Sequence, residues 1–271
     1  MTTDQNARSD SDAGRAGERP QPTRRSAGAQ VTSFLKELVF VVVGALIVSS
    51  LLRAFVGQMF IIPSQSMEST LLIGDRVVVE KITDFERGDV VVFEDPGHWL
   101  ADEPVAEPGP FDRALEFVGI PTASTPGHLI KRVIGLPGDR VVCCDADGRL
   151  TVNGYPLDET SYLYVNPDGS QVAPSDLQFE VVVPKDRIFV MGDHRDLSAD
   201  SRCHLDDVST TGARGSVAFV PEKLVVGPAF AIAAPFDRAQ RLHHPATFDG
   251  VPAPSEPAPD RATIEPAGVT C

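Results

Sequence analysis

The 271-residue chain carries 24 Lys and Arg against 38 Asp and Glu, a formal net charge of −14 that argues against nucleic acid as its main partner. It is long enough for one large domain or two small ones with a real core. Its four cysteines show no Cys-x-x-Cys or Cys/His ligand spacing, so zinc is not expected, and no other feature of the chain calls for a metal or a cofactor.

Residues 1–30 are mostly Ser, Gly, Arg, Asp and Gln and cannot bury enough apolar surface to offset chain entropy, so a disordered tail is expected there. Leu38–Leu52 (LVFVVVGALIVSSLL) is uncharged and apolar or small throughout, and the apolar character resumes after Arg53. Counted from Val31, residues 31–56 suffice to cross a hydrocarbon core of ~30 Å at ~1.5 Å per residue. A cleavable secretory signal would need a small-x-small site just after the apolar run, and none falls there cleanly. A retained transmembrane anchor is the expectation. Up to Glu37 the chain has six basic and five acidic residues, and beyond it 18 and 33. That slight bias places the N-terminus in the cytoplasm and the remainder outside, on a single-pass protein of the cell membrane.

After the anchor, short Val- and Ile-rich runs alternate with Gly, Pro and Asp turns. Asp75–Ile82, Asp89–Glu94, His128–Gly135, Arg140–Cys143, Leu150–Val152, Phe179–Val183 and Arg187–Met191 read as strands, as does Leu224–Phe236, which is too short for a second span. Asn153-Gly154 marks a hairpin. The expected fold is mainly β: one N-terminal transmembrane helix, then an extracytoplasmic antiparallel β domain over 57–236. The stretch 95–127 interrupts it with six prolines and an apolar subset that includes Trp99 and Phe111, either a surface insertion or a loop touching lipid or substrate. From 237 to 271 the chain is Pro-rich with almost no aromatic content, and a second disordered tail is expected. A disulfide from Cys203 to Cys143 or Cys144 is possible outside the cell, but the sequence does not fix the pairing.

Three polar clusters follow the anchor in order. Ser66 lies in Ile62–Leu71 (IPSQSMESTL), Lys131 lies mid-strand in His128–Gly135, and Gly192–Arg202 (GDHRDLSADSR) forms a polar loop. A serine hydroxyl needs a base to act as a nucleophile. His194 and His204 are the only histidines near the third cluster, and Ser66 lacks a Gly-x-Ser-x-Gly setting. A lysine serves instead if burial holds its amine neutral. Lowering its pKa from ~10.4 to ~8 requires about 3 kcal/mol of disfavoured charge. Ser66 is therefore the candidate nucleophile and Lys131 the candidate general base. Ser64 is placed to donate to an oxyanion beside a backbone N–H near Ser66. The Ser33-x-x-Lys36 match to acyl-serine penicillin-binding proteins lies at the entry to the anchor, and neither Ser-Asp-Asn nor Lys-Thr-Gly accompanies it. The cysteine setting of a sortase is also missing. Outside enzymes, the competing reading is a tethered β scaffold that binds preproteins without cutting them.

Ile62–Leu71, Gly74–Val77, Leu129–Asp139 and Gly192–Arg202, in this order, resemble the type I signal peptidases of bacteria over roughly 60–236. The resemblance implies a monomeric serine endopeptidase at the lipid bilayer that removes signal peptides from secretory preproteins after small-x-small sites. It implies Ser66 as nucleophile and Lys131 as base, with Ser64 on the oxyanion and Ser198 orienting the lysine. Asp200 and Arg202 would brace the site as an ion pair, with Asp193 and Arg195 in the same supporting loop. Phe60, Ile62, Met67 and Ile130 would line the pockets for small side chains, some of them serving the core as well. Two positions depart from the family pattern: Ser69 stands where proline is usual, loosening the turn after the nucleophile, and His194 where asparagine is usual.

Overall fold

The computed structural model describes residues 27–55, 57–97, 99–100, 127–208, 214–266 and 271. The expected tail up to residue 26 and most of the 95–127 insertion lie outside the described residues. The chain divides into two compact units, one ending at Ala45 and one from Leu46 to Cys271. Helix α1 (Ala27–Phe55) contains the apolar run, and its Val31–Ser50 stretch is long and apolar enough to cross a membrane. A helix satisfies its backbone N–H and C=O groups internally, as any span of hydrocarbon must.

Thirteen short strands are described: β1 (Gly57–Ile61), β2 (Arg76–Glu80), β3 (Val90–Glu94), β4 (His128–Gly135), β5 (Arg140–Cys143), β6 (Thr151–Val152), β7 (Tyr155–Pro156), β8 (Phe179–Val182), β9 (Arg187–Met191), β10 (Val220–Pro221), β11 (Val225–Ala234), β12 (Gln240–Arg241) and β13 (Thr263–Glu265). They pair antiparallel in two sheets. The larger runs β1-β2-β11-β3-β4-β9-β10, with β12 on β11, and the smaller runs β13-β8-β5-β6-β7. The strand expectations agree closely with this, and β4, β5 and β9 begin and end where the Val/Ile runs do. Asn153 and Gly154, at φ 52° and 78°, make the tight turn joining β6 to β7.

Strand β4 is the one that matters for the site. Its residues from Ile130 to Gly135 are all buried, because β3 and β9 flank it and both faces are covered. Lys131 and Arg132 are therefore held in the interior, 4% and 2% exposed. Three apolar clusters surround them: Phe60, Ile62, Met67, Val77 and Val79 at one end of the large sheet, Val91, Phe93, Val133 and Val190 in the middle, and Val141, Phe179, Val181, Phe189 and Phe219 beneath the small sheet.

Two expectations are corrected. The stretch 237–266 is not a disordered tail but a packed strap. Phe248 is buried in the core beneath the small sheet, Arg238 pairs with Asp75 at 2.8 Å, and β13 adds to β8 in register with Thr263 opposite Val182. Low average apolar content misled because a few well-spaced contacts and a borrowed sheet edge replace a core of the segment's own. The disulfides also differ: Cys203 joins Cys271 and Cys143 joins Cys144. The Cys203–Cys271 bond closes a loop over 68 residues of sequence.

Candidate active site

Ser66 lies in the loop between β1 and β2. Ile62 N–H donates to Asp75 O and Gly74 N–H to Ile62 O, both at 2.9 Å, closing the base of this loop. Within it, Glu68 N–H donates to Gln65 O at 2.9 Å and Leu71 N–H to Met67 O at 2.8 Å. Asp75 fastens the loop further by accepting from Leu72 N–H at 2.9 Å and from both arms of Arg238 at 2.8 Å. The turn presents Ser66 facing inward, 5% exposed. Ser69, at φ 90°, adopts a left-handed conformation that proline cannot reach, so the departure at this position changes the shape of the turn rather than only loosening it.

Nζ of Lys131 reaches Oγ of Ser66 at 2.5 Å. Burial pushes the lysine amine down to about 8, and this desolvation outweighs the opposing charges of Asp200 and Asp193. Oγ of Ser64 lies 3.4 Å from Oγ of Ser66. The three expected reacting side chains thus converge on one point, one from a strand and two from the turn.

The Gly192–Arg202 loop supports them from beneath. Asp200 accepts from Gly192 N–H and from Arg202 Nε and Nη2, each at 2.9 Å, and both members of the pair are buried. Burial pushes the Asp200 carboxyl up, but the charge and hydrogen bonds of Arg202 and the Gly192 N–H hold it below its ordinary value. Asp193 takes a fork from Arg132 at 2.8 and 2.6 Å and a hydroxyl from Thr70 at 2.5 Å. His194 N–H donates to Ser66 O at 3.1 Å, joining this loop to the nucleophile turn. At Gly192 the two backbones approach so closely that a Cβ would collide with Ser66 O and Ser198 Oγ.

Ser198 lies in the same loop. It is buried, but Oγ has no hydrogen-bond partner, so it does not orient Lys131 by a direct bond. It lies near enough to Asp200 to help lower that carboxyl, without a bond of acceptable geometry. The reason is the extended backbone at Ser198, which closes the short 3₁₀ turn Arg195–Leu197 and packs the hydroxyl against Gly192. Phe60, Ile62 and Ile130 line a small cleft with Pro63, Val92 and Leu129, whereas Met67 is fully buried in the adjoining core. The turn that exposes one edge of the loop folds Met67 inward beneath it.

Several contributors went unassigned in the sequence. Thr70 and Arg132 sit inside the motif blocks, where adjacency to Ser66 and Lys131 was the available signal. Glu159 and Tyr162 gave none. Glu159 is 4% exposed and accepts from both Nη atoms of Arg195, and at 2.7 Å from the Tyr162 hydroxyl. The Tyr162 ring lies under the Arg132 guanidinium at 4.3 Å. Arg195 also donates from Nε to Gly192 O at 2.9 Å. A buried circuit therefore runs from Asp193 through Arg132 and the Tyr162 ring to Glu159 and Arg195, which Asp193 reaches by charge alone.

The family model for signal peptidase, peptidase S26, matches residues 35–234. Signal peptidase I of Mycobacterium tuberculosis (strain CDC 1551 / Oshkosh) is 34% identical over 256 residues, covering 87% of this chain and 82% of that protein. A probable signal peptidase I of Mycobacterium leprae is 35% identical over 248 residues, covering 80% of each. Signal peptidase I of Bacillus licheniformis is 31% identical over 193 residues, covering 69% of this chain and 88% of that protein. With most of its length matched in this way, the chain belongs to the S26 signal peptidase family and is a peptidase.

Proposed function

We propose that the protein is a membrane-anchored signal peptidase that cleaves exported preproteins through a Ser66–Lys131 dyad. The observation that carries the reading is the 2.5 Å approach of a buried amine, held at about 8, to a buried serine hydroxyl. With the amine neutral, Ser66 Oγ–H donates to Nζ, and Oγ attacks the scissile carbonyl carbon as Lys131 takes the proton. The carbonyl oxygen becomes an oxyanion, which the Ser64 hydroxyl and a backbone N–H near Ser66 stabilise. Lys131 then gives its proton to the departing amine, leaving an acyl-serine. Water completes the turnover, losing a proton to Lys131 while Ser66 regains one as the acyl group leaves.

The cleft beside the dyad supports small-x-small selection. Phe60, Ile62 and Ile130 leave room for little more than a small side chain, so larger ones are excluded by steric conflict. The apolar helix supports a membrane location. A catalytic unit on the side where preproteins emerge completes this reading. The decisive experiment presents a preprotein to the purified full-length protein. Wild type should cut at the small-x-small site, and Ser66→Ala or Lys131→Ala should lower kcat by roughly 10²–10⁴-fold or more. Retained activity in Lys131→Ala would remove the dyad and return the base to another group.

A further inference from the structure

The departure at position 194 places a histidine between the nucleophile turn and the supporting loop. Its main-chain N–H donates to Ser66 O at 3.1 Å. Its ring reaches Glu68, two residues past the nucleophile, with Nδ1 3.1 Å from Oε2. Its other nitrogen faces Asp196 at 3.4 Å. The ring is buried and stacks on Tyr164 at 3.8 Å between centroids. Tyr164 is itself fixed, its N–H donating to Asp193 O at 3.2 Å. One residue therefore holds the turn at two points while its own rotamer is locked by a ring and two carboxylates. The turn needs such restraint, because Ser69 sits at φ 90° directly after Glu68, a conformation that costs energy and persists only when surrounding contacts over-determine it.

We propose that His194 and Glu68 form a clamp that positions the Ser66 hydroxyl against the Lys131 amine. Both are positioning residues for the proposed reaction, acting on the geometry of the turn, so this inference rests on the dyad reading. Reacting atoms must be held to a fraction of an ångström for an intramolecular proton transfer and attack, and small misplacements cost rate rather than binding. Neither side chain lines the cleft where a substrate would lie.

The test measures kcat and KM for preprotein cleavage by the full-length protein and its His194→Ala, Glu68→Ala and double variants. Each single change should lower kcat roughly 10- to 100-fold, with KM within about twofold. The double variant should lose little more than either single one, because the two act as one unit. His194→Asn should recover part of the loss, since its amide can still donate to Glu68. The rising limb of the pH–rate profile should keep its midpoint near 8, where the lysine places it. Full activity in both single variants would overturn the clamp. So would multiplied effects in the double variant, or a change confined to KM. Glu68 is partly exposed, so its variant gives the answer even if His194→Ala folds poorly. Ser66→Ala and Lys131→Ala are run alongside. If those remain active the dyad itself fails, whereas if they are dead while the clamp variants are normal, only this inference falls.

Discussion

Two neighbours on β4, Lys131 and Arg132, are almost equally buried and yet live in opposite electrostatic worlds. Lys131 points at a serine hydroxyl and apolar walls, with carboxylates acting only from a distance, and its pKa falls to about 8. Arg132 forks onto Asp193, donates to Gly88 O at 2.6 Å and lies over the Tyr162 ring. Burial would lower its pKa too, but the Asp193 charge and hydrogen bonds reverse the sign and raise it. Burial alone therefore does not decide what a cation becomes. Whether a counter-charge is within hydrogen-bond reach decides it, and alternation along a strand puts the two outcomes one residue apart.

The contrast breaks most visibly in stability. Arg132→Met should cost about 3–5 kcal/mol in denaturant unfolding, because it strands the buried Asp193 carboxylate without its partner. Lys131→Met should do the reverse and stabilise the fold by roughly 1–3 kcal/mol at neutral pH while abolishing cleavage. The sign follows from linkage. Below about 8 the folded state carries a charged, desolvated amine that the unfolded chain hydrates freely. Between about 8 and the ordinary lysine value of 10.5 the unfolded state binds more protons, so wild type gains stability with rising pH and the advantage of Lys131→Met shrinks. A gain that does not shrink over that interval would mean the amine is not the source of the cost. The finest probe is Asp200→Asn. Asp200 raises the lysine and Arg202 lowers it, so removing the carboxylate moves both influences the same way. The rising limb of kcat/KM should shift to lower pH by roughly half a unit, and an upward shift would contradict the charge assignment.

Much of this was legible in the sequence, and what was not has a physical cause. Val/Ile runs bounded by Gly, Pro and Asp locate strands because a strand's partners reward those residues wherever they pair, so β4, β5 and β9 were read to their ends. Ser66 and Lys131 stand out in the sequence by their settings, a serine in a Pro-led turn and a lysine in mid-strand, and the fold brings the two side chains together. The circuit through Glu159 and Tyr162 was hidden because an acidic residue between Asp158 and Thr160 looks solvated until tertiary structure brings Arg195 to it. The contacts of Ser198 and Met67 are not legible from motif position, since the local backbone angle decides which way each side chain faces. The strap at 237–266 was missed because composition averages over a segment, while Phe248, Arg238 and β13 act one at a time on surfaces supplied by the rest of the domain.

The docking of β13 on β8 bears on how the polypeptide matures. β8 is complete at Val182, but the strand that covers its outer rim is not made until Thr263–Glu265. Throughout the synthesis of the intervening stretch that rim offers bare amide and carbonyl groups to any passing chain. The β13 segment therefore serves as a late-arriving shutter, and a ribosome that stalls before it would release a product with an adhesive border.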